Sequence, residues 1–298
     1  MSFRTEKDFL GEKQLPDSAY YGVQTLRGKE NFHITGIPMS TEPYFVKAFG
    51  YVKKAAALAN RDLGVLDATV ANAIAAACDR LIAGEMADQF VTDFIQGGAG
   101  TSTNMNANEV IANLALERLG HQKGEYQYVN PNDHVNFGQS TNDVYPTAFR
   151  LALILRLGSY MDALRRLQEA FFAKAREFDR VLKMGRTHLQ DAVPMSLGQE
   201  FHGWGTTIGE EVQRIAEVRQ FLHEINLGAT AIGTTVTAAP GYPELATKYL
   251  SELTGTTFIL AGDLIEATSD TGAYVLLSGV LKRTSSKLTK ICNDIRLL

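Results

Sequence analysis

The segment that most constrains the fold spans residues 143–180, which contain no proline after Pro146. An uninterrupted stretch of this length predicts one long helix, because proline is the residue that most often ends a helix. The apolar residues at 151–157 cover most of the helix circumference, and a helix that is apolar on all sides is buried. A helix of about 35 residues is roughly 50 Å long, which exceeds the needs of a small domain. We therefore expect an all-α fold whose long helices pack against other copies of the chain, with an elongated monomeric bundle as the alternative.

Most of the remaining chain also has the pattern of helices. Residues 67–84 carry apolar side chains at close to helical spacing, and Gly120 follows the pattern at 102–119 as a helix-ending residue would. Glycine and proline recur through residues 1–45, which we expect to be irregular. They recur again at 228–243, in the segment between residues 226 and 263 that we expect to be a loop. The sequence predicts six helices, over residues 44–60, 67–84, 102–119, 143–180, 194–226 and 263–298.

Composition and charge exclude several classes of protein. The 298 residues are 45% hydrophobic and 21% charged, and the net charge of -4 comes without a basic run. Nucleic acid is therefore not an expected partner. No apolar run approaches the ~20 residues of a membrane span, and residues 1–8 lack the apolar core of a signal peptide. With Cys78 and Cys292 as the only cysteines, we expect reduced thiols and a cytoplasmic location.

Three polar islands interrupt the helical pattern, at residues 97–102, 139–143 and 185–188. The middle island places three consecutive hydrogen-bonding side chains where the long helix begins. Backbone N–H groups at a helix start lack intrahelical partners, and the helix dipole there favours negative charge. Such a place binds carboxylates or phosphates. We expect the three islands to form one site for a small, multiply charged anion.

The plainer interpretation of the middle island is an ordinary helix cap. Ser, Thr, Asn and Asp are the preferred capping residues, and Asp143 with Pro146 is a common start signal. One cap is enough for one helix, whereas Ser140, Thr141 and Asn142 are consecutive. This excess favours binding without deciding the matter.

The sequence lacks the motifs of several common functional classes. It contains no Gly-x-x-x-x-Gly-Lys-Ser/Thr loop, no Gly-x-Gly-x-x-Gly fingerprint, no His-Glu-x-x-His and no Gly-x-Ser-x-Gly. The six histidines are not spaced as metal ligands. Neither a metal nor another cofactor is predicted.

Four stretches of the sequence together resemble the aspartase/fumarase superfamily. They are GGAGTSTNMNANEVIAN at 97–113, NPNDHVNFGQSTNDVYPTAF at 130–149, MGRTHLQDAVPMSLGQEF at 184–201 and DLIEATSDTGAYVLLSG at 263–279. The resemblance runs from about residue 6 to residue 298. It implies a mainly helical N-terminal domain at 1–139, then a long-helix bundle at 140–298 that forms the core of a homotetramer. In such tetramers each active site takes residues from three subunits.

Within the superfamily, the details resemble aspartases more than fumarate hydratases. Hydratases typically carry Ser at the position of Ala99 and Ser-Ser-Asn in place of Ser140, Thr141 and Asn142, and the segment 263–279 is also more similar to aspartases. The resemblance implies elimination of ammonia from L-aspartate to give fumarate. A fumarate hydratase-like lyase is the alternative. The dipeptide at 137–138 departs from the residues usual there.

The resemblance also implies roles for individual residues. The residues that match those holding the β-carboxylate are Thr101, Ser140 and Thr141. The residues that match those around the amino group and α-carboxylate are Asn142, Thr187 and His188. Removing the proton beside the β-carboxylate adds a second negative charge, so donors that strengthen as charge accumulates are the suitable groups. Neutral His188 would act as a supporting catalytic residue, since an imidazole can accept from the ammonium group.

One part of the family site is not found in this sequence. The serine that serves as general base belongs to the pattern Gly-Ser-Ser-x-Met-Pro-x-Lys-x-Asn-Pro, and no Met-Pro dipeptide occurs in these 298 residues. We expect the base, two bundle helices and a small C-terminal domain to lie outside this chain. The alternative is that 298 residues are the whole molecule, a non-catalytic helical assembly.

Overall fold

Helices dominate residues 2–298, which the computed structural model describes. The α-helices in these residues are α1 (Val23–Asn31), α2 (Pro43–Asp62), α3 (Ala68–Ile82), α4 (Thr101–Arg118), α5 (Thr141–Glu177), α6 (Leu197–Arg219), α7 (Tyr242–Thr254), α8 (Leu264–Ser269) and α9 (Gly272–Leu297). The strands are β1 (Phe3–Asp8), β2 (Gly11–Pro16), β3 (Leu182–Thr187), β4 (Gln190–Ser196), β5 (Glu224–Ile225) and β6 (Ile259–Leu260). They pair as three separate two-stranded sheets, β1 with β2, β3 with β4, and β5 with β6. The predicted all-α class is confirmed.

The long central helix forms where the sequence predicts it, as α5. Pro146 lies inside this helix and has no N–H to donate to the carbonyl of Asn142, four residues earlier. The side-chain Nδ2 of Asn226 donates to that carbonyl at 3.1 Å instead. A distant residue thus satisfies the acceptor that the proline leaves free, and α5 continues without a break.

The N-terminal segment differs from the prediction of irregular structure. Residues 3–16 form an antiparallel hairpin, and α1 follows it. No side chain caps α1 locally; the buried carboxylate of Glu109, on α4, accepts from the backbone N–H groups of Gly22, Gln24 and Thr25 at 2.8, 2.9 and 3.0 Å. Because the cap comes from a residue more than 80 positions away, no local sequence pattern predicts the start of this helix.

The other long helices are shorter than predicted. The helix expected at 194–226 begins only at Leu197, because the residues before it pair with β3. Ser196 caps it in a reciprocal box with Gln199. The helix expected at 263–298 divides into α8 and α9 around Asp270, and α7 occupies part of the segment expected to be a loop.

The described residues divide into two compact units. The first comprises residues 2–153 together with His223–Asp270, and the second comprises Ile154–Leu222 together with Thr271–Leu298. In the first unit, α2 packs against both α3 and α7, and a Cβ at Gly50 would meet Leu81 and Ile82 at 3.0 Å, so α2 and α3 approach closely. The predicted domain boundary between residues 139 and 140 stays a prediction.

The second unit contains the hairpin of β3 and β4 and the paired helices α6 and α9. Glu211 on α6 is fully buried, and its carboxylate meets Lys287 at 2.6 Å and Arg283 at 3.2 Å. Thr284 Oγ1 donates to the same carboxylate at 3.1 Å. A buried carboxylate surrounded in this way is compensated, and it holds α9 in register with α6.

No helix within residues 2–298 combines the length and apolar character needed to cross a membrane.

Candidate functional site

The first polar island forms a tight turn that leads into α4. Gly98, Ala99 and Gly100 all have positive φ, at +71°, +52° and +92°. A side chain at Gly100 would overlap the ring of Tyr145, which lies on the first turns of α5. Glycine is therefore needed at position 100 for two reasons, the close approach of the Tyr145 ring and the left-handed backbone conformation. The turn brings the start of α4 against the start of α5.

A hydrogen bond joins the two helix starts directly. The side-chain Nδ2 of Asn104, on α4, donates to Oγ1 of Thr141 at 3.1 Å and to Oδ1 of Asn136 at 3.2 Å. Asn104 is 1% exposed, so this amide lies below the surface that carries the Thr141 hydroxyl. The predicted site residues Thr101, Ser140, Thr141 and Asn142 thus lie on two helix starts that adjoin.

Ser140 acts as the cap that the plainer interpretation expects. Its Oγ accepts from the backbone N–H of Asn142 at 3.2 Å, and its own N–H donates to Oδ1 of Asp143 at 3.1 Å. A hydroxyl that accepts from a backbone N–H still has its own proton to donate. Capping and ligand binding are therefore compatible for Ser140.

A loop of the same unit covers the start of α5. Nδ2 of Asn142 donates to the carbonyl of Ala231 at 2.7 Å. The backbone N–H of Thr230 donates to the other Asp143 oxygen at 2.8 Å. Thr230 has a positive φ of +61°, which is unusual for a β-branched residue. The sequence predicts only a loop in this segment and does not place it beside the site.

Two buried ionisable groups lie behind the start of α5. Lys53 is fully buried, and its Nζ donates to Oδ1 of Asn136 at 2.8 Å and to Oε1 of Gln139 at 3.0 Å. Burial lowers the pKa of Lys53 to about 7, against the attraction of the Asp143 carboxylate. Burial likewise raises the pKa of Asp143 to about 7, against its backbone hydrogen bonds and the charge of Lys53. The group as a whole, Lys53, Asn136, Gln139 and Asp143, is termed the support cluster below.

Lys53 cannot be recognised from the sequence as part of the site. Lys53 and Lys54 are adjacent in sequence, and only the structure shows that their surroundings differ. Lys53 is buried, whereas Lys54 pairs with Asp79 at 2.5 Å on a partly exposed face. A lysine on an otherwise apolar helix gives no sign of which way it points. Gln139 accepts a hydrogen bond from Lys53, and it belongs to the middle island.

The hydroxyl of Thr101 is engaged within its own turn. Oγ1 of Thr101 donates to the carbonyl of Gly98 at 2.5 Å, and the residue is exposed. In this conformation the proton of that hydroxyl is not directed to a ligand. Thr101 can donate to a carboxylate only after its side chain rotates.

Thr187 and His188 belong to the second unit, at the tip of the hairpin of β3 and β4. Thr187 pairs with Gln190, so His188 and Leu189 are the two turn residues, with φ of +50° and +60°. Two-residue hairpin turns with positive φ at both residues normally use Asn and Gly. A histidine and a leucine there carry backbone strain, which often marks functional segments. Their meeting with the first group of residues stays a prediction.

The arrangement in the first unit is suited to holding an anion by neutral donors. It combines hydroxyls, a side-chain amide and the start of a long helix. Among residues 2–298, no group of three or more His, Cys, Asp or Glu side chains is placed to hold a metal ion.

Comparison with known proteins shows the family of this chain. The sequence profile of the Lyase family matches residues 11–298. The chain is 58% identical over 298 residues to an aspartate ammonia-lyase of Pseudomonas fluorescens. The matched residues cover 100% of this chain and 62% of that protein. It is 56% identical over 298 residues to an aspartate ammonia-lyase of Escherichia coli strain K12, again covering 100% of this chain and 62% of the relative.

A solved structure shows the same fold. The crystal structure of a fumarate lyase:delta crystallin from Brucella melitensis bound to cobalt superposes with a TM-score of 0.98 at 53% identity, covering 100% of this chain and 65% of that one. The chain thus spans a little under two thirds of the length of the relatives it matches. The profile match and the identity over the whole chain show that it belongs to the Lyase family.

Proposed function

We propose that the protein to which this chain belongs is an aspartate ammonia-lyase, which eliminates ammonia from L-aspartate to give fumarate. The observation that carries the proposal is the hydrogen bond from Asn104 to Thr141, which joins the starts of α4 and α5 beside the capping hydroxyl of Ser140. The names of the 56–58% identical relatives support the same activity.

The chemistry requires a site of this kind. Removal of the proton beside the β-carboxylate places a second negative charge on a group that is already an anion. Donors that are held in place before the reaction stabilise this charge without having to reorganise. Ser140 and Thr141 are the proposed donors to the β-carboxylate, with Thr101 joining them after rotation of its side chain. The dipole of α5 adds to their effect at the same place.

The remaining predicted residues fit the other end of the substrate. Asn142, Thr187 and His188 are proposed to lie around the amino group and the α-carboxylate. A neutral imidazole at His188 would accept a hydrogen bond from the ammonium group, whereas an imidazolium would repel it. The general base is proposed to be the serine of the family pattern, which these residues do not contain.

We also propose that the protein acts as a homotetramer. Large apolar side chains of the second unit are exposed, among them Leu182 at 83%, Leu189 at 74% and Val275 at 68%. Many large apolar side chains left exposed on long helices and hairpins are typical of subunit interfaces. Other copies of the chain are the proposed partners that cover it.

The test is an assay of fumarate by its ultraviolet absorbance, with L-aspartate and L-malate as parallel substrates. Two forms are compared: the 298-residue chain, and the same chain joined to the segment that carries the Gly-Ser-Ser-x-Met-Pro pattern. We expect fumarate from L-aspartate in the joined form and little from the chain by itself, since a general base contributes ~10²–10⁴-fold.

Variants at the proposed site show whether the activity comes from it. Thr141→Val is expected to lower kcat/KM for L-aspartate by about a hundredfold, as for the loss of one donor to a developing anion. Thr69→Val, which removes an exposed hydroxyl from the first turn of α3, is the matched control. Absence of fumarate from L-aspartate in both forms would refute the proposed activity, and faster reaction with L-malate would indicate a hydratase instead.

A further inference from the structure

The contact between Asn104 and Thr141 has a defined direction. Nδ2 of Asn104 is a donor only, so Oγ1 of Thr141, 3.1 Å away, is the acceptor. A threonine hydroxyl has one proton, and this bond does not use it. With its acceptor side turned towards the buried amide, the hydroxyl has its proton directed away from that amide.

The support cluster prevents Asn104 from presenting its oxygen to Thr141 instead. Oδ1 of Asn136 accepts from Nζ of Lys53, while Nδ2 of Asn136 donates to the carbonyl of Gln139 at 3.2 Å. Oδ1 of Asn136 therefore faces Asn104 as an acceptor, at 3.2 Å from Nδ2. A reversed Asn104 amide would bring two oxygens together there, and it would leave the buried lysine network with an unfavourable contact.

The orientation of Gln139 agrees with this order of donors and acceptors. Its Oε1 accepts from Lys53 at 3.0 Å, while its Nε2 donates to the carbonyls of Val135 and Phe137 at 3.0 and 3.2 Å. Each amide of the support cluster thus has one consistent orientation. Oδ1 of Asn136 accepts from both Lys53 and Asn104, and Asn104 donates in turn to Oγ1 of Thr141.

From this geometry we propose that Asn104 is a positioning residue, held by Asn136 and Lys53, that turns the hydroxyl proton of Thr141 towards a bound carboxylate. This inference rests on the proposed function, because it takes the ligand of Thr141 to be the carboxylate of a dicarboxylic acid. Asn104 itself lies below the hydroxyl and acts on the ligand only through Thr141.

A double-mutant cycle on succinate binding tests this role. Succinate is a dicarboxylate without the amino group, and its dissociation constant can be measured by calorimetry with no need for turnover. The cycle uses the form of the protein that turns over L-aspartate, with Asn104→Leu, Thr141→Val and the double variant. Each single change is expected to weaken binding about tenfold, as for loss of one charge-assisted hydrogen bond. The double variant is expected to be weakened about tenfold as well, and not a hundredfold, because both changes remove the same interaction.

Controls separate this role from a general effect on the fold. Asn106→Leu removes another buried asparagine amide of α4, which donates to the carbonyl of Gln89 at 2.9 Å and accepts from the N–H of Val91 at 3.0 Å. It is expected to change the succinate dissociation constant less than about twofold. Thermal unfolding of every variant shows whether it is folded, and Asn104→Ala serves in place of Asn104→Leu if the larger side chain is not accommodated.

Each outcome decides one question. Non-additive weakening by Asn104 and Thr141 supports the inference. Additive weakening, or no weakening by Asn104→Leu, overturns the inference and leaves the proposed function intact. If the unaltered protein does not bind succinate or turn over L-aspartate, the proposed function fails and the inference fails with it.

Discussion

The carboxylate of Asp143 accepts a 2.8 Å hydrogen bond from the backbone N–H of Thr230, 87 residues further along the chain. Its other oxygen accepts from the N–H of Ser140 at 3.1 Å. Asp143 is fully buried, and Thr230 is held at a positive φ. One carboxylate therefore fixes both the first residue of the candidate site and the loop that covers it.

Replacing Asp143 with asparagine should release one of these two contacts. An asparagine has a single acceptor oxygen, so either Ser140 N–H or Thr230 N–H would face an NH₂ group. We expect Asp143→Asn to lower the free energy of unfolding by about 2 kcal/mol, as for a buried donor left unpaired, and to speed hydrogen exchange in residues 226–235. Chemical unfolding and exchange measured by mass spectrometry check both.

The matched control for that change is Asp67→Asn. Asp67 caps α3 through Oδ1, which accepts from the N–H groups of Thr69 and Val70. Asparagine is an equally good cap there, so the expected loss is below about 0.5 kcal/mol. A loss at Asp143 no larger than at Asp67 would show that the bond to Thr230 does not hold the loop.

Burial of Lys53 should make the stability of the protein depend on pH. Its pKa is lowered to about 7 in the folded chain, where Asp143 and Cys78 are the titratable groups that face it. The unfolded lysine has a pKa of about 10.4, so between about pH 7 and pH 10.4 only the unfolded state carries the proton. The unfavourable effect of burying the amine is full below pH ~7 and is relieved as the pH rises.

Comparison with Lys53→Met isolates this dependence. Relative to that variant, the free energy of unfolding of the unaltered protein should rise by about 1.4 kcal/mol per pH unit between about pH 7 and pH 9. Urea unfolding at about pH 7, 8 and 9 provides the measurement. Lys54→Met, which removes the neighbouring lysine that pairs with Asp79, is the control. An equal dependence in the control, or a fall with pH, would contradict burial as the cause.

The close approach at Gly100 should make that residue intolerant of any side chain. Gly100→Ala would place a methyl group within the ring of Tyr145 at a φ of +92°, so we expect a loss of more than about 3 kcal/mol of stability. Gly84 has a similar φ of +90°, but no atom lies within 4 Å of the position that an added methyl group would take, so Gly84→Ala should lose only about 1 kcal/mol. Equal losses on thermal unfolding would mean that the contact between the turn and α5 is unimportant.

The choice between ammonia and water should depend on Ala99 and Thr141. Changing both to serine makes the sequence there resemble a hydratase. We expect the ratio of kcat/KM for L-aspartate to kcat/KM for L-malate to fall about tenfold, within the range that small changes in a binding pocket produce. The same two chemical changes at the exposed residues Ala68 and Thr69 serve as the control. An unaltered ratio in the Ala99 and Thr141 variant would show that these residues do not discriminate the substrates.

Much of the helical architecture could be predicted from local sequence. The start of α5 was expected at residue 143 and lies at Thr141, and Leu119 and Gly120 end α4 as expected. Proline is absent from α4 and occurs in α5 only at Pro146, and local residues mark the ends, since Ser140 caps α5 and Gly120 follows α4. The hairpin of β3 and β4 could not be predicted in the same way, because His188 and Leu189 are not turn residues by composition and adopt positive φ nonetheless.

The candidate site shows the same division. Ser140, Thr141 and Asn142 stand out in the sequence because three capping residues in a row exceed what one helix needs. Asn104 and Lys53 do not stand out, because a polar residue buried within a helix has no local pattern of its own. Their partners lie 32 to 86 residues away, so only the tertiary structure reveals the support cluster.

A crystal structure of the protein with succinate bound tests the proposed carboxylate site directly. We predict that one carboxylate of succinate lies with its oxygens about 2.6–3.0 Å from both Oγ of Ser140 and Oγ1 of Thr141. The amide of Asn104 should remain on the opposite side of the Thr141 hydroxyl. Succinate bound with neither hydroxyl within hydrogen-bonding distance would show that the joined starts of α4 and α5 do not hold the substrate carboxylate.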